Sequence, residues 1–149
     1  MDNFDPQKVY TDAIELYQNK KYRESIKLFN KVLKYYPNHS KTYNNLGVIH
    51  KELEEFKDAK IFFMKAVEYD QDYIIALNNL AQILSEQNNP KEADEYYKKS
   101  LKLDPEKLET IKGYGNNLLK LNRHSEGLNM IKKASGVIKF NKKNFEVNK

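Results

Sequence analysis

The sequence predicts an all-α solenoid, a rod of stacked helix pairs, because it repeats itself at an interval of 34 residues. The segment Tyr43–Gly47 (YNNLG) recurs as Leu77–Ala81 (LNNLA), and the aromatic residues Phe29, Phe63 and Tyr97 are separated by the same interval. A fixed period of this length is typical of one supersecondary unit that stacks on copies of itself, because one copy cannot bury its apolar face alone.

Four copies of the unit account for most of the 149 residues. The expected divisions are a lead at 1–5, repeats at 6–39, 40–73, 74–107 and 108–141, the last of them degenerate, and a tail at 142–149. Together they are expected to form one solenoid domain.

Each repeat is expected to hold two amphipathic helices. In the second repeat, apolar residues recur three or four positions apart from Tyr43 to Leu53 and again from Phe56 to Val67, as on one face of a helix. Proline after Asp or Asn indicates helix starts at Asp5-Pro6, Asn89-Pro90 and Asp104-Pro105. The expected helices are 6–19, 22–35, 41–53, 55–69, 74–87, 90–103, 106–121 and 124–138.

Small residues are expected where the two helices of a pair approach closely. Gly47 and Ala81 hold this position on the first helix, and Ala59 and Ala93 hold it on the second. A large side chain at any of them would force the pair apart.

The composition disfavours several classes of function. Without cysteine the chain has no disulfide, thiolate metal site or cysteine nucleophile, and it has no long apolar run typical of a membrane span. The net charge is +5, but only Arg23 and Arg123 are arginine, the residue best suited to grip phosphates and guanine edges. We therefore expect no nucleic-acid partner and no membrane partner, and a cytoplasmic location.

The second repeat resembles the tetratricopeptide repeat (TPR) family. It has the family's Leu-Gly pair at Leu46-Gly47, followed by small, aromatic and small residues at Ala59, Phe63 and Ala66. The resemblance extends from residue 6 to about 141. It implies a right-handed superhelical solenoid of antiparallel helix pairs, in which the first helix of each pair lines a concave groove.

The resemblance also implies which residues face that groove. They are Asn44, Asn45, Asn78 and Asn79, joined by Tyr10, Lys41, Gln82, Lys112 and Asn116. An asparagine amide both donates and accepts hydrogen bonds, which suits a peptide backbone. The alternative is that asparagine is simply abundant in this chain. Thr11 and Gly113 occupy the corresponding places in the outer repeats, so any asparagine ladder is short.

Other candidate sites are weaker. The carboxylate clamp of chaperone adaptors is not expected, because Ile75 and Asn79 stand where that clamp needs two basic residues. None of His39, His50 and His124 has a partner at metal-ligand spacing, and His50 lies on an apolar stripe. We expect no catalytic residue, no metal and no cofactor.

The sequence thus predicts a non-enzymatic scaffold that binds an extended peptide or protein segment in its groove. Two alternatives stay open: a self-associating structural module, and a regulatory or targeting repeat region related to repeat–enzyme fusions. The apolar residues Val137, Ile138 and Phe140 either cover the last repeat, giving a monomer, or pair with a second chain. We expect the monomer.

Overall fold

The computed structural model describes residues 5–135, and this part of the chain consists of helices and turns. The helices are α1 (Pro6–Gln18), α2 (Tyr22–Tyr35), α3 (Ser40–Glu52), α4 (Phe56–Tyr69), α5 (Ile74–Glu86), α6 (Pro90–Leu103), α7 (Leu108–Lys120) and α8 (His124–Ser135). They pack as four consecutive pairs, and the second helix of each pair also contacts the first helix of the next. The predicted all-α solenoid is confirmed. Within these residues, no helix has the length and hydropathy needed to cross a membrane.

The predicted helix starts at Pro6 and Pro90 are confirmed, but the one at Asp104-Pro105 is wrong. Asp5 caps α1, its Oδ1 accepting hydrogen bonds from the backbone N–H groups of Gln7 and Lys8 at 3.0 and 3.3 Å. Asp104 instead accepts from Glu106 N–H at 3.1 Å within a turn, and α7 begins only at Leu108. Asp70 forms the same turn one repeat earlier. The predicted end of α8 at residue 138 lies outside the described residues.

The turn inside each pair has a positive backbone φ at one residue, and these residues are 34 positions apart. They are Lys20, Glu54, Asn88 and Asn122, with φ between 59° and 62°. This left-handed conformation is disfavoured for residues with a Cβ, although asparagine tolerates it better than lysine or glutamate. It reverses the chain so that the two helices lie side by side.

The small residues lie where the helices of a pair cross. A Cβ added to Gly47 would lie 2.6 Å from two ring atoms of Phe63, so only glycine fits there without rearrangement. In the fourth pair, a Cβ on Gly115 would lie 3.0 Å from the carbonyl oxygen of Gly127, and one on Gly127 would lie 2.8 Å from that of Gly115. Gly127, which lies 34 positions after Ala93 in the degenerate fourth repeat, therefore allows the two backbones to approach closely.

The apolar core runs along the rod between the helix layers. Phe29, Phe63 and Tyr97 are each at most 3% exposed, because a following repeat covers them. Ile131 holds the same position in the fourth repeat and is only partly buried, and Leu128, three positions earlier on α8, is 49% exposed. The C-terminal end of the described solenoid is therefore partly apolar.

Candidate functional site

The first helices, α1, α3, α5 and α7, carry the polar residues predicted to face the groove. Neighbouring first helices are joined by side-chain hydrogen bonds between residues 35 positions apart. Asn45 Nδ2 donates to the Tyr10 hydroxyl at 3.1 Å, and Asn79 Nδ2 donates to Asn44 Oδ1 at 2.9 Å. Part of the hydrogen-bonding capacity of the asparagine doublets thus holds the repeats together.

The nine predicted groove residues fall into two groups. Five of them line one groove of about 980 Å³ between α5 and α7, named here the α5–α7 groove: Asn78, Asn79, Gln82, Lys112 and Asn116. The other four, Tyr10, Lys41, Asn44 and Asn45, lie on α1 and α3. Of these, Asn44 is only 3% exposed and lies within the junction between α3 and α5.

Eight further residues line the α5–α7 groove: Ile75, Ser85, Glu86, Tyr97, Lys107, Glu109, Gly113 and Lys120. Gly113 was already expected at the ladder position of the fourth repeat, whereas the sequence pattern did not indicate Ser85, Tyr97, Lys107, Glu109 or Lys120. Tyr97 was expected only as a core aromatic. The sequence held one signal that Tyr97 borders the groove. Gly113 has no side chain at the position that Asn45 and Asn79 hold in the preceding repeats.

Most charges in the groove already have partners. Glu86 accepts a hydrogen bond from Gln82 at 2.8 Å and lies 3.7 Å from Lys51 Nζ, and Lys120 Nζ donates to the Ser85 carbonyl at 2.7 Å. Lys112 is exposed and forms no ion pair with residues 5–135. The groove therefore presents neutral amides, with one unpaired cation among the described residues.

Tyr97 contributes a hydroxyl to the floor of the groove. Its side chain is 3% exposed and its ring lies 5.8 Å from that of Tyr114. Burial, with a smaller contribution from the negative charge of Glu86, raises the pKa of Tyr97 far above its usual value near 10. The hydroxyl therefore stays protonated and can donate a hydrogen bond at any physiological pH.

Asn78 is incompletely paired. Its Nδ2 donates to Thr110 Oγ1 at 2.6 Å, whereas its Oδ1 is buried and has no hydrogen-bond partner in the described part of the chain. A buried polar atom without a partner is destabilising, by about 1–3 kcal/mol in typical cases. The oxygen of Asn44, one repeat earlier, is satisfied by Asn79.

The histidines lie away from this groove. His39 Nδ1 lies 2.6 Å from Thr42 Oγ1, and burial, together with the positive charge of Lys41, lowers the pKa of His39. His50 stacks on Phe62 with the ring centroids 4.8 Å apart, in agreement with its expected packing role.

One acidic cluster was missed by the sequence analysis. His50 lies 2.6 Å from Glu55, and their ligand-type atoms lie within 4.8 Å of Asp58, a grouping that could hold a metal ion. The turn after α3 brings these residues together at spacings that are not a recognised metal-binding motif. The hydrogen bond between His50 and Glu55 already uses two of the three side chains.

Comparison with protein families places the repeats in a known class. Three consecutive spans, residues 9–39, 40–73 and 74–107, match family models described as tetratricopeptide repeat. No curated protein matches the chain.

Solved structures share the fold at low identity. MamA from Desulfovibrio magneticus RS-1 is 22% identical, with a TM-score of 0.77 over 89% of this chain and 75% of that one. A second crystal structure of MamA is 16% identical, with a TM-score of 0.79 over 91% and 79%. YrrB, described as a TPR protein with an unusual peptide-binding site, is 20% identical, with a TM-score of 0.78 over 89% and 68%.

Proposed function

Because the chain belongs to the tetratricopeptide repeat family, a family of protein-interaction scaffolds, we propose that it holds an extended segment of another protein against its concave face. The observation that carries this proposal is the α5–α7 groove, about 980 Å³ in volume and lined mainly by side-chain amides and lysines. YrrB, a neighbour in fold, has a peptide-binding site.

The groove has the chemistry of a peptide-backbone site. An extended segment presents one N–H and one C=O per residue, and both need partners when they leave water. The side chains of Asn116 and Lys112 are exposed on α7 and form no hydrogen bond or ion pair with residues 5–135, so they are available to a ligand. The proposed ligand is a peptide of mixed polarity, and the proposed function involves no chemistry of its own.

A selection from random peptides tests this proposal. Twelve-residue peptides displayed on phage are selected on the whole chain, and the binders are titrated into ¹⁵N-labelled protein. We expect backbone and side-chain amide signals to shift along α5 and α7. Shifts confined to α6 and α8 on the outer face would show that the groove is not the site.

A matched pair of double variants sharpens the test. Lys112→Ala with Asn116→Ala removes two groove contacts and should weaken binding of a selected peptide roughly tenfold. Lys132→Ala with Asn129→Ala makes the same chemical changes at exposed positions of α8 and should leave binding unchanged. Equal binding by the two double variants would contradict the proposal.

Self-association is a second candidate, and a specific observation favours it. The partly buried Ile131 and the exposed Leu128 lie at the end of the described solenoid, where an inner repeat would be covered by the next. The predicted role of the tail in covering this surface concerns residues outside the described range.

A further inference from the structure

The cross-helix hydrogen bonds follow a rule that fails at one position. Asn45 bonds to Tyr10, and Asn79 bonds to Asn44, in each case 35 positions earlier. The next residue in this series is Gly113, and the residue 35 positions before it is Asn78.

Gly113 has no side chain with which to continue the series. Asn78 Oδ1, which corresponds to the Asn44 oxygen that accepts from Asn79, is accordingly without a partner. Within residues 5–135, the other buried side-chain oxygen without a partner is Asn117 Oδ1. The missing group is the N–H of a carboxamide. The repeat therefore leaves this acceptor without the amide N–H that an asparagine at position 113 would supply, and Tyr97 occupies the place of such a side chain.

A second polar group, the Tyr97 hydroxyl, lies against Gly113. A Cβ built on Gly113 would lie 2.9 Å from the Tyr97 hydroxyl, so this hydroxyl approaches the backbone because residue 113 is glycine. No hydrogen bond joins the Tyr97 hydroxyl to residues 5–135, although the side chain is 97% buried. It is a protonated donor that lines the groove.

We propose that the Gly113 gap, the part of the α5–α7 groove lined by Asn78, Tyr97 and Gly113, binds one neutral amide group of the ligand. The amide N–H donates to Asn78 Oδ1 and its carbonyl accepts from the Tyr97 hydroxyl. Because this oxygen is covered by its neighbours, the Asn78 side chain turns toward the groove on binding. The inference rests on the proposed peptide-binding function and specifies the group that is recognised.

The groups beside the gap favour an amide over a carboxylate, although three lysines, Lys107, Lys112 and Lys120, line the wider groove. Glu86 lines the same groove and contributes negative potential at Tyr97. A ligand carboxylate placed on that hydroxyl would be repelled by Glu86, and the oxygen of Asn78 would offer it no donor. The amide has two sources, the ligand backbone or an asparagine or glutamine side chain.

Four blocked peptides distinguish these sources. They have the form acetyl-Ser-Ala-Xaa-Ala-Ser-N-methylamide, with Xaa as asparagine, leucine, aspartate or lysine. Each is titrated to 10 mM into ¹⁵N-labelled full chain while the side-chain NH₂ signal of Asn78 is followed. We expect a saturable shift of that signal. Tighter binding of the asparagine peptide assigns the gap to a side-chain amide, and equal binding of the asparagine and leucine peptides assigns it to the backbone.

Two variants test the gap itself. Tyr97→Phe removes the donor and should weaken peptide binding about three- to tenfold. Tyr97→Phe with Gly113→Asn supplies the missing carboxamide from the protein and should remove the Asn78 shift. Thr11→Asn adds the same amide at the equivalent, exposed position of α1 and serves as the control. Circular dichroism checks the folding of each, and Tyr97→Phe alone suffices if the double variant unfolds.

Three results would overturn the inference: no saturable Asn78 shift with any peptide, tightest binding of the aspartate peptide, or parental binding by Tyr97→Phe. If peptides shift Lys112 and Asn116 but not Asn78, the gap is not the site while groove binding stands. The phage-selected peptides test groove binding separately. If groove binding fails, those peptides will shift NMR signals of the outer helices and not of α5 and α7.

Discussion

At the scale of the residue, the asparagine doublets serve packing as well as any ligand. Asn79 satisfies the buried oxygen of Asn44, so Asn79→Ala would leave that oxygen without a partner and cost about 1–3 kcal/mol of stability. A loss of binding in that variant would not separate ligand contact from unfolding. Lys112 and Asn116 are exposed and are better positions for testing the groove.

The crossing of α3 and α4 gives a first stability prediction. Gly47→Leu should destabilise the chain by about 1–3 kcal/mol, because even its Cβ would lie 2.6 Å from the Phe63 ring. Lys57→Ala, at an exposed position of α4, should change stability by less than about 0.5 kcal/mol. Urea denaturation measures both. A Gly47→Leu variant as stable as Lys57→Ala would contradict the close packing described.

His39 gives a prediction about pH. Burial and Lys41 lower its pKa, so in acid the unfolded chain binds a proton more readily than the folded chain. Stability should therefore fall as the pH drops below about 6.5, the usual histidine pKa. His39→Tyr, which copies Tyr73 of the next repeat, should lose less stability between pH 7.5 and 5.5 than the parent. Equal losses, measured by urea denaturation, would exclude His39 as the cause.

At the scale of the element, hydrophobic spacing predicted the eight helices, because each must bury one stripe against its neighbours. The spacing could not predict where α7 begins. Asp-Pro is compatible both with a helix cap and with a turn, and Asp104 forms the same turn as Asp70, which no proline follows. The 34-residue period was enough to predict five of the residues that line the α5–α7 groove. It could not predict the roles of Gly113 and Tyr97, because these depend on contacts between helices.

The turns within the pairs differ in how well their residues tolerate a positive φ. Glu54→Asn should stabilise the chain, and Asn88→Glu should destabilise it, each by less than about 1 kcal/mol, because asparagine tolerates a positive φ better than glutamate. The two substitutions are the reverse of each other and lie at equivalent positions of neighbouring repeats. The melting temperatures of the two variants measure this. If both rise or both fall, the turn conformation does not control the change in stability.

At the scale of the whole molecule, the two end repeats carry like charge. The spans 6–39 and 108–141 are each net +4, so end-to-end contact brings positive surfaces together. We expect a monomer in sedimentation at 50 mM salt, with self-association favoured when salt shortens the Debye length from about 14 Å to about 4 Å at 0.5 M. Oligomers at low salt would contradict this expectation.

Leu128 allows the end surface to be tested directly. The equivalent positions of the second and third repeats hold Lys60 and Asp94, so Leu128→Lys introduces a residue that the repeat already accommodates. If self-association at high salt uses this surface, the variant should remain monomeric there, while Lys132→Ala on the same helix should behave as the parent. Equal association of the two variants would place the contact elsewhere.

The contact between Gly115 and Gly127 affects the order in which the helix pairs fold. Each glycine within a helix gives the unfolded chain extra conformational freedom, which disfavours the helix by about 0.5–1 kcal/mol relative to alanine. With Gly113 as well, α7 and α8 form the pair with the least intrinsic tendency to fold. The fourth pair should therefore assemble last, on a template already formed by α5 and α6, and should exchange its amide hydrogens sooner than they do.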